Sequence, residues 1–94
     1  MSAYMEKKLR EGHAFFMGLM IQPRDGKAGG PHATTVVNFR KKCCMGVCYN
    51  QYQLIDSLNI YWAPHENGNW VDEAYLFKLL PASSSLIWLE ANKH

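Results

Sequence analysis

Two stretches and the break between them decide the fold: Ala14, Phe15, Phe16, Met17, Gly18, Leu19, Met20, Ile21, and then His32, Ala33, Thr34, Thr35, Val36, Val37, Asn38, Phe39, Arg40. The first is a near-continuous apolar run whose length and aromatic content fit a strand buried on both faces better than a helix. Gly18 is the one residue in it that weakens a strand. The second alternates and is rich in β-branched residues, which reads as a strand antiparallel to the first, with Ala33, Thr35, Val37 and Phe39 on one face. Between them, Gln22 to Pro31 carries Pro23, Gly26, Gly29, Gly30 and Pro31 and must be a loop. It is long for a plain hairpin connection, so it reads as a mobile loop with a role of its own.

On the N-terminal side, Ser2 suits a helix cap and Gly12 a left-handed C-terminal stop, which predicts a helix over residues 3–11 with Met5 and Leu9 facing the core. Lys7, Lys8 and Arg10 fall at the negative end of its dipole. On the other side, Cys43 to Tyr49 either continues the sheet or starts a helix, and Gly46 disfavours helix before residue 49. On a helix Cys44, Cys48, Tyr52 and Ile55 fall on one stripe, with Val47, Leu54 and Leu58 beside it, which together with Gly46 predicts a helix from Tyr49 to Leu58. Asn59 to Ala63 reads as a short strand, ended by Pro64 and the turn His65, Glu66, Asn67, Gly68. Asn69 as cap, Asp72 and Glu73 in the first turn, Lys78 in the last and Pro81 as terminator predict a helix from 70 to 80, with Trp70, Ala74 and Phe77 along one face. Ser83 to Ser85 reads as a linker and Leu86 to Ala91 as a final strand. The sum is an α+β chain, a small single domain over residues 1–94, with an antiparallel β-sheet of three to five strands and two or three short helices.

A chain of 94 residues buries roughly 60 to 65% of its unfolded surface, which favours a surface that binds over a deep cleft that reacts. Its formal charge of +2 is far from the strongly basic balance of most phosphate binders. Three cysteines make an odd count without a disulfide-like spacing, so free thiols and a reducing, cytoplasmic setting are expected. The run Ala14 to Ile21 follows Lys7, Lys8 and Arg10 as a signal peptide's core would, yet it lacks a cleavage site and is far shorter than the about 20 residues a membrane span needs.

The motifs that carry chemistry are thin. Cys44 and Cys48, four apart, would offer two zinc ligands on a helical face, with His32 or His65 completing the set, but the second short pair of a structural zinc site is missing. A thiol among Cys43, Cys44 and Cys48 activated by Lys41 or Lys42 lacks any residue placed to orient a base. Arg24 to Gly30 has no Gly-Lys-Ser/Thr ending, and Asp56, Glu66, Asp72 and Glu73 stand in no informative setting. No cofactor, metal or catalytic residue is therefore expected, and a small thiol- or metal-dependent enzyme ranks third among the readings.

The second reading is a nucleic-acid binder using Arg40, Lys41 and Lys42, with Arg24 and Lys27 on the preceding loop, at the opposite end of the second strand in a simple hairpin, and Tyr49, Tyr52, Tyr61 and Trp62 as stacking faces. The first is a non-enzymatic protein-binding module, an inhibitor or adaptor of a larger protein assembly, because three Trp, five Tyr and five Met exceed what a thin core needs and are enriched at interfaces. Its expected contacts are the 22–31 loop and the segment Tyr61 to Trp70, through Arg24, Lys27, Tyr61, Trp62, His65 and Trp70. A homo-oligomer is compatible with the same sequence. Inhibitors encoded by phages and other mobile elements share this size and character, an analogy without sequence resemblance.

Overall fold

The structure, a computed structural model, describes residues 2–56, 60–80 and 89–92. In chain order it has α1 (Ser2–Arg10), β1 (His13–Ile21), β2 (Gly30–Cys44), β3 (Val47–Ile55), β4 (Trp70–Asp72), α2 (Glu73–Lys78) and β5 (Leu89–Asn92). The strands form a five-stranded sheet in the order β4-β3-β2-β1-β5, with every neighbouring pair antiparallel. The α+β class predicted from the sequence is the observed one. Of the expected final strand, Leu89 to Ala91 lies in β5; residues 86–88, the Ser83 to Ser85 linker and Pro81 fall outside the described residues.

Both helices pack on one face of the sheet. Met5 and Leu9 of α1 and Leu76 of α2 join Phe15, Met17, Leu19 and Ile21 of β1, Val36 of β2, Tyr52 and Leu54 of β3 and Val71 of β4 in one buried cluster. Ile60, Trp62 and Ala63 close the same core from the loop after β3. The Tyr52 ring sits 5.5 Å from Phe39 and 5.9 Å from Phe77, and its hydroxyl donates to the Glu73 carboxylate at 2.8 Å. A buried ring with a satisfied polar tip thereby ties the central sheet to the start of α2. Gly12 ends α1 with φ of 94°, the left-handed stop that glycine takes without a Cβ penalty.

β1 corrects one expectation. From Phe15 to Ile21 it is buried on one face only: Phe15, Met17, Leu19 and Ile21 point inward, while Phe16, Gly18 and Met20 alternate outward, and on that outer face only Ala14, near the start of the strand, is covered. The outward set is apolar too, so the period of two is invisible in the sequence. The common face read for Ala33, Thr35, Val37 and Phe39 is also interrupted. Val36 pairs with Leu54 and Asn38 with Gln53, so Val37 bulges and the alternation of β2 changes phase there. Thr34 and Val36 therefore face the core before the bulge and Phe39 after it, with Ala33 and Thr35 on the other side.

The loop after β1 is tightly organised. Arg24 and Lys27 exchange two backbone hydrogen bonds of 3.0 and 2.8 Å, closing a two-residue turn at Asp25 and Gly26, both with positive φ. Gly29 lies against the Ile21 carbonyl and Pro23, where a Cβ would stand 2.7 Å from the Pro23 nitrogen. The stretch read as a mobile loop is thus a mini-hairpin closed by backbone contact.

Three further expectations give way. Residues 49–55 are strand, not helix, because Met45 and Gly46, with φ of 51° and 82°, make the tight turn that folds Val47–Ile55 back along β2. Residues 60–63 are turn and bend, not strand; buried Ile60 and Trp62 flanking exposed Tyr61 imitate a strand's alternation while plugging the core. The 70–80 helix shrinks to Glu73–Lys78, since Trp70 to Asp72 is recruited as an edge strand by Gln51 to Gln53. Asp72 takes the cap position, and Asn69, with φ of 64°, is a turn residue.

The cysteines are not all free. Cys43 and Cys48 are directly opposed across the β2–β3 hairpin, Cα atoms 4.0 Å apart, and form a disulfide; Cys44 is the free, exposed thiol. The helical reading hid this, because residues five apart point away from each other on a helix but face each other across a two-residue turn. The premise for a reducing compartment falls with it. Replacing both Cys43 and Cys48 with Ser should leave the fold intact and lower stability by about 2 kcal/mol, the chain-entropy value for so short a closed loop. Urea denaturation of oxidised wild type and variant measures it.

Candidate interaction surface

The face opposite the helices carries no covering layer among the described residues. Phe16, Thr35 and Ile55 stand in one row across β1, β2 and β3, as Phe16 pairs with Thr35 and Thr35 with Ile55. Phe16 is 44% exposed, Met20 43% and Ile55 62%. Ala33, Thr35 and Ile55 line a shallow depression of about 220 Å³ with Phe16. A second of about 470 Å³ opens over Gly18, Met20, Pro31 and Ala33; Gly18 leaves it unfilled, with no atom within 4 Å of where a Cβ would stand. Large apolar side chains in adjacent cross-strand positions form a continuous patch, and such patches mark contact sites.

Toward the hairpin the same face becomes polar. Glu66 accepts from Arg40 Nη2 at 2.6 Å and from Lys42 Nζ at 2.7 Å. Arg40 Nε donates to Gln51 Oε1 at 2.7 Å, Gln51 Nε2 donates to Asp72 Oδ1 at 2.7 Å, and the Arg40 guanidinium lies 4.3 Å over the Trp70 ring. Gln51 is buried beneath this layer with both ends of its amide satisfied. The hydrogen bond from Lys42 holds the Glu66 carboxyl below its ordinary value of 4.5, with the Gln51 amide and the Arg40 charge acting the same way against partial desolvation. Reciprocally, Glu66 raises Lys42 above 10.5.

The depressed Glu66 contributes stability above pH 4.5 that is lost as pH falls through its lower folded value, and the raised Lys42 contributes below pH 10.5 and loses it as pH climbs through its higher folded value. Glu66→Gln should lower Tm modestly at neutral pH. The gap from wild type should close as pH drops below the usual carboxylate range, which thermal melts from pH 7 to pH 3 would display.

The residues singled out from sequence divide into three places. Arg24, Lys27 and Tyr61 meet at one end of the molecule, where Lys27 Nζ lies 4.8 Å over the Tyr61 ring. Trp70 belongs to the Glu66 cluster, and His65 lies beside it, its Nδ1 3.1 Å from the Ala63 carbonyl. Trp62, expected at the contact surface, is instead core: it is buried, and its indole N–H donates to Asp56 Oδ2 at 2.7 Å. His32 Nε2 is 2.8 Å from the same oxygen, and the Asp56 side chain is only 1% exposed. A buried carboxylate with two nitrogen partners is a latch between β2, the end of β3 and the 60–63 plug. Asp56→Ala should cost about 3 kcal/mol, since it takes an acceptor from two largely buried groups; Asp56→Asn, keeping an acceptor, should cost less in the same denaturant titration.

Arg40, Lys41 and Lys42 do not form a single basic knot. Alternation puts Arg40 and Lys42 on the open face, committed to Glu66, and Lys41 on the helix side. Arg24 and Lys27 lie at the far end of β2, about 30 Å away at strand rise. The zinc geometry imagined for Cys44 and Cys48 is undone by the Cys43–Cys48 bond, and among the described residues no three His, Cys, Asp or Glu gather as a metal site. Among them too, no helix is long and apolar enough to cross a membrane.

Phe16, Met20 and Ile55 were missed because they lie in stretches read as doubly buried strand and as helix. The signal was present: a strand too apolar for one-sided burial, in a chain too small to cover both faces. Compared with known protein families, curated proteins and solved structures, the chain matches none. The class its geometry defines is a small α+β protein with a one-sided helical layer on an antiparallel sheet.

Proposed function

We propose that this protein is a non-enzymatic protein-binding module, an inhibitor or adaptor acting on a larger protein assembly, and that it binds through the open face of its sheet. The observation that supports this reading most is the outward row Phe16, Thr35 and Ile55 with Met20 beside it: apolar side chains on a rigid, hydrogen-bonded surface where a solvated sheet carries polar residues. The flanking cluster of Arg40, Lys42, Glu66 and Trp70 supplies a polar rim with arginine and tryptophan, the residue types enriched at interfaces. A protein partner suits this surface better than nucleic acid does, because the Glu66 carboxylate engages both cations that share the face and offsets half of their charge. The Cys43–Cys48 bond suits an oxidising place of action better than the cytoplasm expected from the cysteine count; thiol labelling in intact cells tests it, since both cysteines found reduced there would argue for a reducing compartment.

The test of the reading is co-purification with the double variant Phe16→Glu, Ile55→Glu as control. Wild type should retain a stoichiometric protein, and the variant, with an unchanged circular dichroism spectrum, should lose it at least about tenfold. Retention of nucleic acid alone, or equal retention by both, would overturn it.

A further inference from the structure

The far halves of β2 and β3 leave the sheet. β1 pairs with β2 only from Gly30 to Val36, and β4 meets β3 only from Gln51 to Gln53, so residues 41–50 form a ribbon of two strands. Every residue from Cys43 to Cys48 is exposed, with Met45 at 97% and Val47 at 64%. At about 3.4 Å per residue, the step from Lys41 to Met45 carries the tip about 14 Å outward.

An isolated two-stranded ribbon is marginal in water. This one is held by two independent devices, the tight turn with positive φ at Met45 and Gly46 and the Cys43–Cys48 bond one pair behind it. Its tip is apolar, and its charges are of one sign: residues 40–50 include Arg40, Lys41 and Lys42 and no carboxylate. Arg40 and Lys42 are drawn to Glu66, whereas Lys41 emerges on the other side of the ribbon, where it lines a depression whose far wall is Asp72, Glu73 and Ala74.

We propose that this ribbon is an insertion finger: Met45 and Val47 enter an apolar cleft on the protein partner, and Lys41 meets an acidic rim at its mouth. The inference rests on the protein-binding reading above and names a second contact. Bracing the finger before binding removes the ordering cost that a flexible loop would incur on insertion. A cleft in a protein fits better than a bilayer, because two modest apolar side chains fall far short of a lipid chain, which itself anchors only marginally.

The test places a photo-crosslinking amino acid at Met45 in one version of the full chain and at Phe16 in another, each expressed in the source cells. Crosslinked peptides are then sequenced. Position 45 should attach to an apolar segment flanked by Asp or Glu on the same protein that position 16 captures. Binding of that purified protein should weaken about tenfold or more with Met45→Glu, whose site is fully exposed and whose fold should be unaffected, and severalfold with Lys41→Glu. Capture at 16 with none at 45, attachment of 45 to lipid, or wild-type affinity for Met45→Glu would overturn the finger and leave the open-face reading standing. No protein captured at either position would overturn both.

Discussion

The pairing of Phe15 with Val36, Met17 with Thr34 and Leu19 with His32 sets which side of β1 meets the helices. Because side chains alternate, a slip of one residue would turn Phe16, Gly18 and Met20 inward and send the present core side chains out. The pattern of β1 alone resists such a slip weakly, since both of its faces are apolar. The constraint comes from its surroundings: the two-residue turn at Asp25 and Gly26, the close seat of Gly29 on Ile21 and Pro23, and the hold of buried Asp56 on inward His32. Met5, Leu9 and Leu76 then find the inward row already chosen.

The bulge at Val37 extends this logic along β2. Without it Phe39 would point to solvent and Arg40 toward the helices. With it, Phe39 packs on Tyr52, and Arg40 joins Lys42 and Gln51 above Glu66. One irregular residue thereby gives a single strand two characters, an apolar outward half near β1 and a charged outward half near the turn.

Much of the fold could be read from the chain alone where local chemistry and tertiary packing agree. α1 with Met5 and Leu9 inward, the two long strands and the position of the turn after β1 follow from caps, alternation and glycines. The reading failed where two periodicities compete. Cys48, Tyr52 and Ile55 suit a helical stripe, and only the long-range partnership of Tyr52 with Phe39 and Val71 decides for strand. Trp70 to Asp72 has helix-start chemistry, yet an open edge on β3 captures it. The candidate surface was the least legible part, since exposed apolar residues and core residues look alike in one dimension, and the ion pairs that occupy Arg40 and Lys42 depend on a glutamate 24 or more residues away.

The Asp25–Gly26 tip and the Gly29 seat sit only three residues apart and are limited by different things, a left-handed backbone at Gly26 and close contact at Gly29. At the tip a Cβ on Gly26 would meet open space, whereas at the seat it would meet main chain. A label carried on the exposed side chain of residue 25 would therefore extend away from the body, with the two-residue turn intact and the strand ends below still clamped by Gly29. That gives an attachment point for a fluorophore on the molecule without disturbing either sheet face.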